Sequence, residues 1–263
     1  MAKHLPIDQL FSLEDKTVIC TGATGGIGLE MCKALGEAGA DIVSIQLPND
    51  PNAASLSKQL TKVGRRFRAF ECDLADTSAI RATFQTIWNA GIKPSVLLNC
   101  AGVNRRRPVL EITDEDLDLI LSINLKATFV VAREFGKRLI NLGLPGKIIN
   151  IGSVTSFRGM YNVSAYASSK GGVIQMTKAF SNEFAPHDIQ VNCICPGQVY
   201  ISTPLTKQLQ NDTTYNNYIL KGTPAGRWGT PEDLRGAAIF LASKASDFVT
   251  GSSLIVDGGM LAT

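Results

Sequence analysis

Seven short apolar runs recur along this chain, and their spacing constrains the fold more than any other feature. They are Thr17–Cys20, Ile42–Ile45, Phe67–Phe70, Val96–Leu98, Ile148–Ile151, Ile189–Ile194 and Leu254–Val256. Most are nearly continuous rather than alternating, as in strands buried on both faces of a parallel sheet. Amphipathic stretches separate them. One carries Ile27, Met31 and Leu35 at steps of four, and another opens at Thr113 with Asp116 in its first turn. A third opens at Thr230, with Pro231 where a missing N–H does no harm. This alternation predicts an α/β fold: one doubly wound Rossmann-type domain, a parallel sheet of about seven strands flanked by helices, with right-handed crossovers.

No proline-rich or polar linker divides the pattern. Residues 1–263 are read as one domain, with a cofactor half at about 14–150 and a catalytic and substrate half at about 151–263. Hydrophobic residues at 44% and charged residues at 19% allow a sizeable core and argue against disorder. The net charge is +3, and the densest basic cluster, Arg105–Arg107, is too small for a nucleic-acid footprint. No stretch reaches the ~20 apolar residues of a membrane helix. Met1–Phe11 lacks the apolar core of a secretory signal. The six cysteines form no CxxC pair and read as reduced thiols, which points to the cytoplasm. Cys193 and Cys195 share one face of a strand, with no His or third Cys nearby, so packing outweighs a metal site.

The first run leads into Thr21-Gly22-Ala23-Thr24-Gly25-Gly26-Ile27-Gly28 and then a helical pattern. Gly22, Gly26 and Gly28 permit a tight turn and close approach of backbone to a pyrophosphate, and the helix N-terminus offers free N–H groups. Thr24 and Ile27 complete this candidate cofactor loop. The second strand ends at Gln46, where an acid would bind ribose hydroxyls and repel a 2′-phosphate. Gln46 can bond a hydroxyl but carries no charge, and neither the loop nor Leu47 offers a cation. NAD is therefore favoured, with NADP possible; Arg65 and Arg66 are the first places to look for a cation if NADP is used.

Tyr166 and Lys170 lie four apart, on one face of a helix. A neighbouring ammonium, with a positively charged nicotinamide, favours a phenolate, so the phenol can exchange a proton with an alkoxide. Ser153 follows the fifth strand, where its hydroxyl can hold the substrate oxygen.

The TGxxxGxG loop, Ser153 and the Tyr166/Lys170 pair together resemble the short-chain dehydrogenase/reductase family over essentially the whole chain. The resemblance implies an NAD(P)-dependent oxidoreductase acting on CH–OH groups, with Asn124 as a fourth catalytic member that anchors a proton-relay water. It also implies cofactor contacts from Asp73 and Leu74, from Asn99, Ala101 and Gly102, and from Pro196 and Gly197. Asn99-Cys100-Ala101-Gly102 departs from the family's Asn-Asn-Ala-Gly at Cys100, and Ile201 replaces the usual Thr after Gly197. Val199, Ser202 and Thr203 are then the residues expected beside the carboxamide, and about 199–222 is expected to form a lid. The segments Phe11-Ser12-Leu13, Asn104-Arg105-Arg106 and Pro224–Gly229 resemble the gluconate 5-dehydrogenase and 2-dehydro-3-deoxy-D-gluconate 5-dehydrogenase branch. That branch implies a small sugar-acid or polyol substrate, with Arg105 at its carboxylate beside Ser153 and Tyr166. It also implies a homotetramer or dimer, built on helices around Asp114–Asn141 and Ala165–Phe184. Two other readings stand: reduction of a bulkier ketone or acyl thioester, and a non-catalytic nucleotide-binding regulator.

Overall fold

In the computed structural model, which describes residues 5–198 and 209–263, all seven apolar runs become parallel strands of one sheet. They are β1 (Thr17–Thr21), β2 (Asp41–Gln46), β3 (Phe67–Glu71), β4 (Val96–Asn99), β5 (Gly146–Ile151), β6 (Ile189–Pro196) and β7 (Ser253–Val256). Their order is β3-β2-β1-β4-β5-β6-β7, so the chain reverses its direction of travel between β1 and β4. The crevice at the carboxyl ends of strands around such a reversal is where ligands bind in open α/β sheets.

Each interior strand sends alternate side chains to opposite faces. Ile19, Leu97, Ile148 and Val191 pack with helices α4 (Thr77–Asn89), α6 (Thr128–Leu142) and α7 (Ser164–Phe184). Val18, Leu98, Ile149 and Ile194 pack on the other face with α2 (Gly26–Glu37), α3 (Ala53–Lys62) and the helix Arg235–Ala242. Burial on both faces explains the continuous apolar runs. The edge strands β3 and β7 are the exceptions: Arg68, Ala69, Glu71 and Ile255 are exposed, because an edge strand has less to cover it. A satellite cluster of Val154, Ile219, Trp228 and Met260 packs beneath the helix Thr213–Lys221.

Local signals act where the sequence places them. Thr113 Oγ1 accepts the Asp116 N–H at 3.2 Å and starts α5 (Asp114–Leu121). Thr230 and Asp233 form a reciprocal cap, although the chain first makes a 3₁₀ turn, Pro231–Leu234, before the helix Arg235–Ala242. Between α5 and α6 the helix widens into a π-turn, Ser122–Ala127. Such turns are rare and frequent at functional sites.

On the two helices expected to build an assembly, most apolar residues are spent inside the chain. Val130, Val131, Val173 and Ile174 are buried, whereas Phe129 is 41% exposed and meets Phe180 edge-on at 4.8 Å. Among the described residues, no helix is long and apolar enough to cross a membrane.

Candidate active site

The loop from β1 into α2 is built around the absence of side chains. A Cβ on Gly22 would lie 2.9 Å from the Ala101 backbone, and one on Gly28 would lie 2.2 Å from the Gly22 carbonyl oxygen. Gly22 and Gly26 hold φ values of 69° and 51°, which favour glycine. Thr21 Oγ1 accepts the N–H groups of Cys100 and Ala101, both at 3.2 Å, joining this loop to the end of β4. Gly25 precedes α2 without a side-chain cap, and space around its missing Cβ is open. The first N–H groups of α2 are left for an anionic ligand, so the loop fits a dinucleotide pyrophosphate.

The candidate catalytic residues gather at the end of β5. Lys170 is buried, its Nζ donates to the Ile151 carbonyl at 2.7 Å, and it lies 5.7 Å from the Tyr166 ring centroid. Ser153 is in extended backbone, and its Oγ accepts the Thr155 N–H at 3.1 Å, leaving its hydroxyl proton free to be donated. Ser156 ties this turn to α7: its Oγ accepts the Ser153 N–H at 3.2 Å and donates to the Lys170 carbonyl at 2.9 Å. Ser153 and Lys170 are thus held by one intermediate hydroxyl.

Asn124 sits in the π-turn, fully buried. Its Oδ1 accepts the Val103 N–H at 2.8 Å, and its Nδ2 donates to the Val103 carbonyl at 2.9 Å and to Ser169 Oγ at 3.1 Å. Ser169 in turn donates to the Tyr166 carbonyl at 2.7 Å. The amide clamps the segment after β4 against α7.

A cleft of about 890 Å³ links these parts. Of the expected residues it is lined by Gly22, Thr24, Gly26, Ile27, Gln46, Asp73, Leu74, Ala101, Gly102, Arg105, Ser153, Tyr166, Lys170, Pro196 and Gly197. That volume is within the usual range for cofactor sites. Gly28, Asn99 and Asn124 stand behind the lining. Gly28 serves helix packing, and Asn99 Nδ2 donates to Asn150 Oδ1 at 2.9 Å across β4 and β5. Val199, Ser202 and Thr203 lie outside the described residues, as does the first part of the expected lid.

Sequence reasoning missed several residues that the fold brings in. Asp50, Arg106, Asn104 and Thr155 all line the cleft. Arg105 is half exposed, and its Nε lies 3.6 Å from an Asp116 carboxylate that also pairs with Arg107 at 3.0 Å. Arg106 instead lies over the Tyr215 ring, 4.9 Å from its centroid, with no acidic partner among the described residues. Asn104 Oδ1 and Thr155 Oγ1 are buried without a hydrogen-bond partner among the described residues. The Cys193 and Cys195 sulfurs pack 3.7 Å apart beneath Gly152, where a Cβ would meet them at 2.9 and 2.8 Å. Hydrogen bonding to Cys195 and burial push the Cys193 thiol well up. Burial pushes Cys100 up to about 12, so it stays a neutral thiol beside the loop.

Comparison with known proteins agrees with this geometry. A family model described as enoyl-(acyl carrier protein) reductase matches residues 22–261. The chain is 39% identical over 252 residues to the 2-dehydro-3-deoxy-D-gluconate 5-dehydrogenase of Dickeya dadantii, covering 96% of this chain and 98% of that one. It is 38% identical over 256 residues to the 5-keto-D-gluconate 5-reductase of Escherichia coli, covering 97% and 99%. A crystal structure of a gluconate 5-dehydrogenase from Burkholderia cenocepacia, in complex with NADP and tartrate, superposes with a TM-score of 0.91 at 36% identity, covering 97% and 99%.

Proposed function

Because the chain belongs to the short-chain dehydrogenase/reductase family, we propose that it interconverts a hydroxyl and a ketone on a gluconate-type sugar acid. The observation that carries this reading is the assembly of Tyr166, Lys170 and Ser153 on one wall of the dinucleotide cleft. When bound, the nicotinamide supplies the hydride donor or acceptor. Tyr166 donates its phenolic proton to the developing alkoxide in reduction and recovers it in oxidation. The Lys170 ammonium, fixed on the Ile151 carbonyl 5.7 Å from the Tyr166 ring centroid, faces the phenol and holds the nicotinamide ribose. Ser153 donates its free hydroxyl proton to the substrate oxygen. Asn124 is the positioning member, keeping Gly102–Val103 and α7 at a fixed separation and so ordering the relay toward Lys170. Gly22, Thr24, Gly26, Ile27, Asp73, Leu74, Ala101, Gly102, Pro196 and Gly197 form the cofactor wall, with Val199, Ser202 and Thr203 beside the carboxamide. One domain carries the whole reaction.

The substrate end of the cleft suits a hydroxylated acid. Arg105 and Arg106 supply guanidinium groups for a carboxylate, and Arg106 is the stronger partner because no acid neutralises it among the described residues. The unpartnered Asn104 and Thr155 oxygens suit sugar hydroxyls, since a buried polar atom without a partner costs about 1–3 kcal/mol. The named substrates of the Dickeya dadantii and Escherichia coli relatives have this chemistry.

Steady-state kinetics with 5-keto-D-gluconate, 2-dehydro-3-deoxy-D-gluconate derivatives, a bulky cyclic ketone and a 3-oxoacyl thioester test this assignment. The sugar acids are expected to lead in kcat/KM by about a hundredfold, the scale of two well-placed charged hydrogen bonds. A lead for the ketone or thioester assigns the bulkier substrate class, and dinucleotide binding without turnover of any of them assigns a regulator. We further infer a cytoplasmic homotetramer: exposed Phe129, with Ile255 on the edge strand β7 and Phe248 in the turn before it, offers apolar surface for it. A single-chain mass by light scattering overturns the assembly.

A further inference from the structure

The end of β2 has no acid, but the loop that follows brings one back. After Gln46 the chain runs through Leu47 and Pro48 to Asn49, whose φ of 57° is left-handed and turns the backbone. The Asn49 N–H donates to Glu71 Oε1 at 3.1 Å and fixes the turn to the end of β3. Asp50 then lines the cleft together with Gln46 and Leu47. One Asp50 oxygen accepts from Thr24 Oγ1 of the glycine loop at 2.5 Å, and the other accepts the Asn52 N–H at 2.9 Å. Gln46 is buried and uncharged, and its Oε1 accepts from Ser44 Oγ at 2.9 Å.

We propose that Asp50 sets cofactor choice, its carboxylate accepting from the adenosine ribose diol of NAD and rejecting the 2′-phosphate of NADP. The proposal rests on the reading of this cleft as a dinucleotide site. Three observations converge on it. Asp50 lies about twenty residues beyond the glycine loop, the interval at which an acid reaches the ribose in dinucleotide folds. Thr24, the hydroxyl of the glycine loop that could donate to a phosphate, donates to Asp50 instead. Neither Arg65 nor Arg66, the arginines the sequence offers for a 2′-phosphate, lines the cleft. Arg65 donates to Glu14 and to the Gly39 carbonyl, and Arg66 pairs with Asp41 at the opposite end of β2. The strand between Asp41 and Gln46 spans about 17 Å at ~3.3 Å per residue. A carboxylate facing a dianionic phosphate costs roughly tenfold in binding even where the dielectric approaches that of water.

The test is dinucleotide binding, measured without substrate by fluorescence titration of the purified protein with NADH and with NADPH. The wild type is expected to bind NADH at least tenfold more tightly. Asp50→Asn keeps the side-chain shape, removes the charge and is expected to bring the two dissociation constants within about threefold, chiefly by tightening NADPH. Thr24→Val removes the hydrogen bond but leaves the charge, and is expected to retain the tenfold preference for NADH. Equal affinities or a preference for NADPH in the wild type overturn the proposal while leaving the dinucleotide site intact. So does an unchanged ratio in Asp50→Asn, or loss of preference in Thr24→Val, which makes loop structure rather than charge the cause. Failure of both dinucleotides to bind overturns the cleft assignment itself and the proposal with it.

Discussion

Asn124→Ala separates a clamp from a spectator. Three hydrogen bonds leave with the amide: Val103 N–H to Oδ1, Nδ2 to the Val103 carbonyl and Nδ2 to Ser169 Oγ. Each is worth about 1 kcal/mol net, and the Val103 groups are partly buried, so water restores some of the loss. The expected cost is about 2–3 kcal/mol. In a chain of this size 1 kcal/mol moves Tm by about 2–4 °C, so the midpoint falls by roughly 4–12 °C. The kinetic effect has a direction too. Val103 follows the cleft-lining residues Ala101 and Gly102, and Ser169 holds the Tyr166 carbonyl, so both walls of the cleft loosen together. A fall in kcat of about tenfold or more is expected even where the protein is fully folded, because small misplacements near reacting atoms are costly. Thermal unfolding and steady-state kinetics well below the midpoint are the assays. A midpoint within 2 °C of wild type and an unchanged kcat refute the reasoning.

Gly28→Ala puts a Cβ 2.2 Å from the Gly22 carbonyl, and both are backbone-defined positions; NADH affinity is expected to fall more than about tenfold, read by titration. Arg106→Ala is expected to raise KM for a sugar acid by about tenfold with little change in kcat, and Arg105→Ala to raise it less, because Asp116 already shares that charge. The Arg227 guanidinium holds the Asp233 carboxyl down at about 2. A depressed carboxyl contributes stability above its unfolded range, near ~4, and loses it as pH falls toward the folded value. The Tm deficit of Asp233→Asn, about 2–4 °C at neutral pH once solvent screening is allowed for, is therefore expected to shrink progressively below pH ~4.

The strands were legible because burial on both faces leaves continuous apolar runs, and each run lies inside a strand. The strands extend beyond the runs at polar termini such as Thr21, Gln46 and Asn99, where the sheet ends against the cleft and polar side chains find partners. Tyr166 and Lys170 were legible because helical spacing is local. The non-local part of the site was not. Nothing in the run Ser122–Ala127 marks a π-turn, since its apolar pattern continues that of the flanking helices. Ser156 looks like any loop serine until the fold brings it to the Lys170 carbonyl. Asp50 was hidden by the turn at Asn49: linear position puts it four residues past β2, while backbone geometry returns it to the glycine loop. Arg105 and Arg106 are adjacent in sequence, and only the packing of α5 and of the helix Thr213–Lys221 assigns one to Asp116 and the other to Tyr215.

The central claim is that Tyr166 moves the proton that accompanies hydride transfer. The most direct measurement compares wild type and Tyr166→Phe in NADH-dependent reduction of 5-keto-D-gluconate, with NADH affinity titrated on the same preparations. Removing a general acid costs about a hundredfold or more. The variant is expected to bind NADH as the wild type does and to retain no more than about one per cent of kcat. Retention of a substantial fraction of kcat with intact NADH binding would contradict the assignment and move the proton donor elsewhere in the cleft.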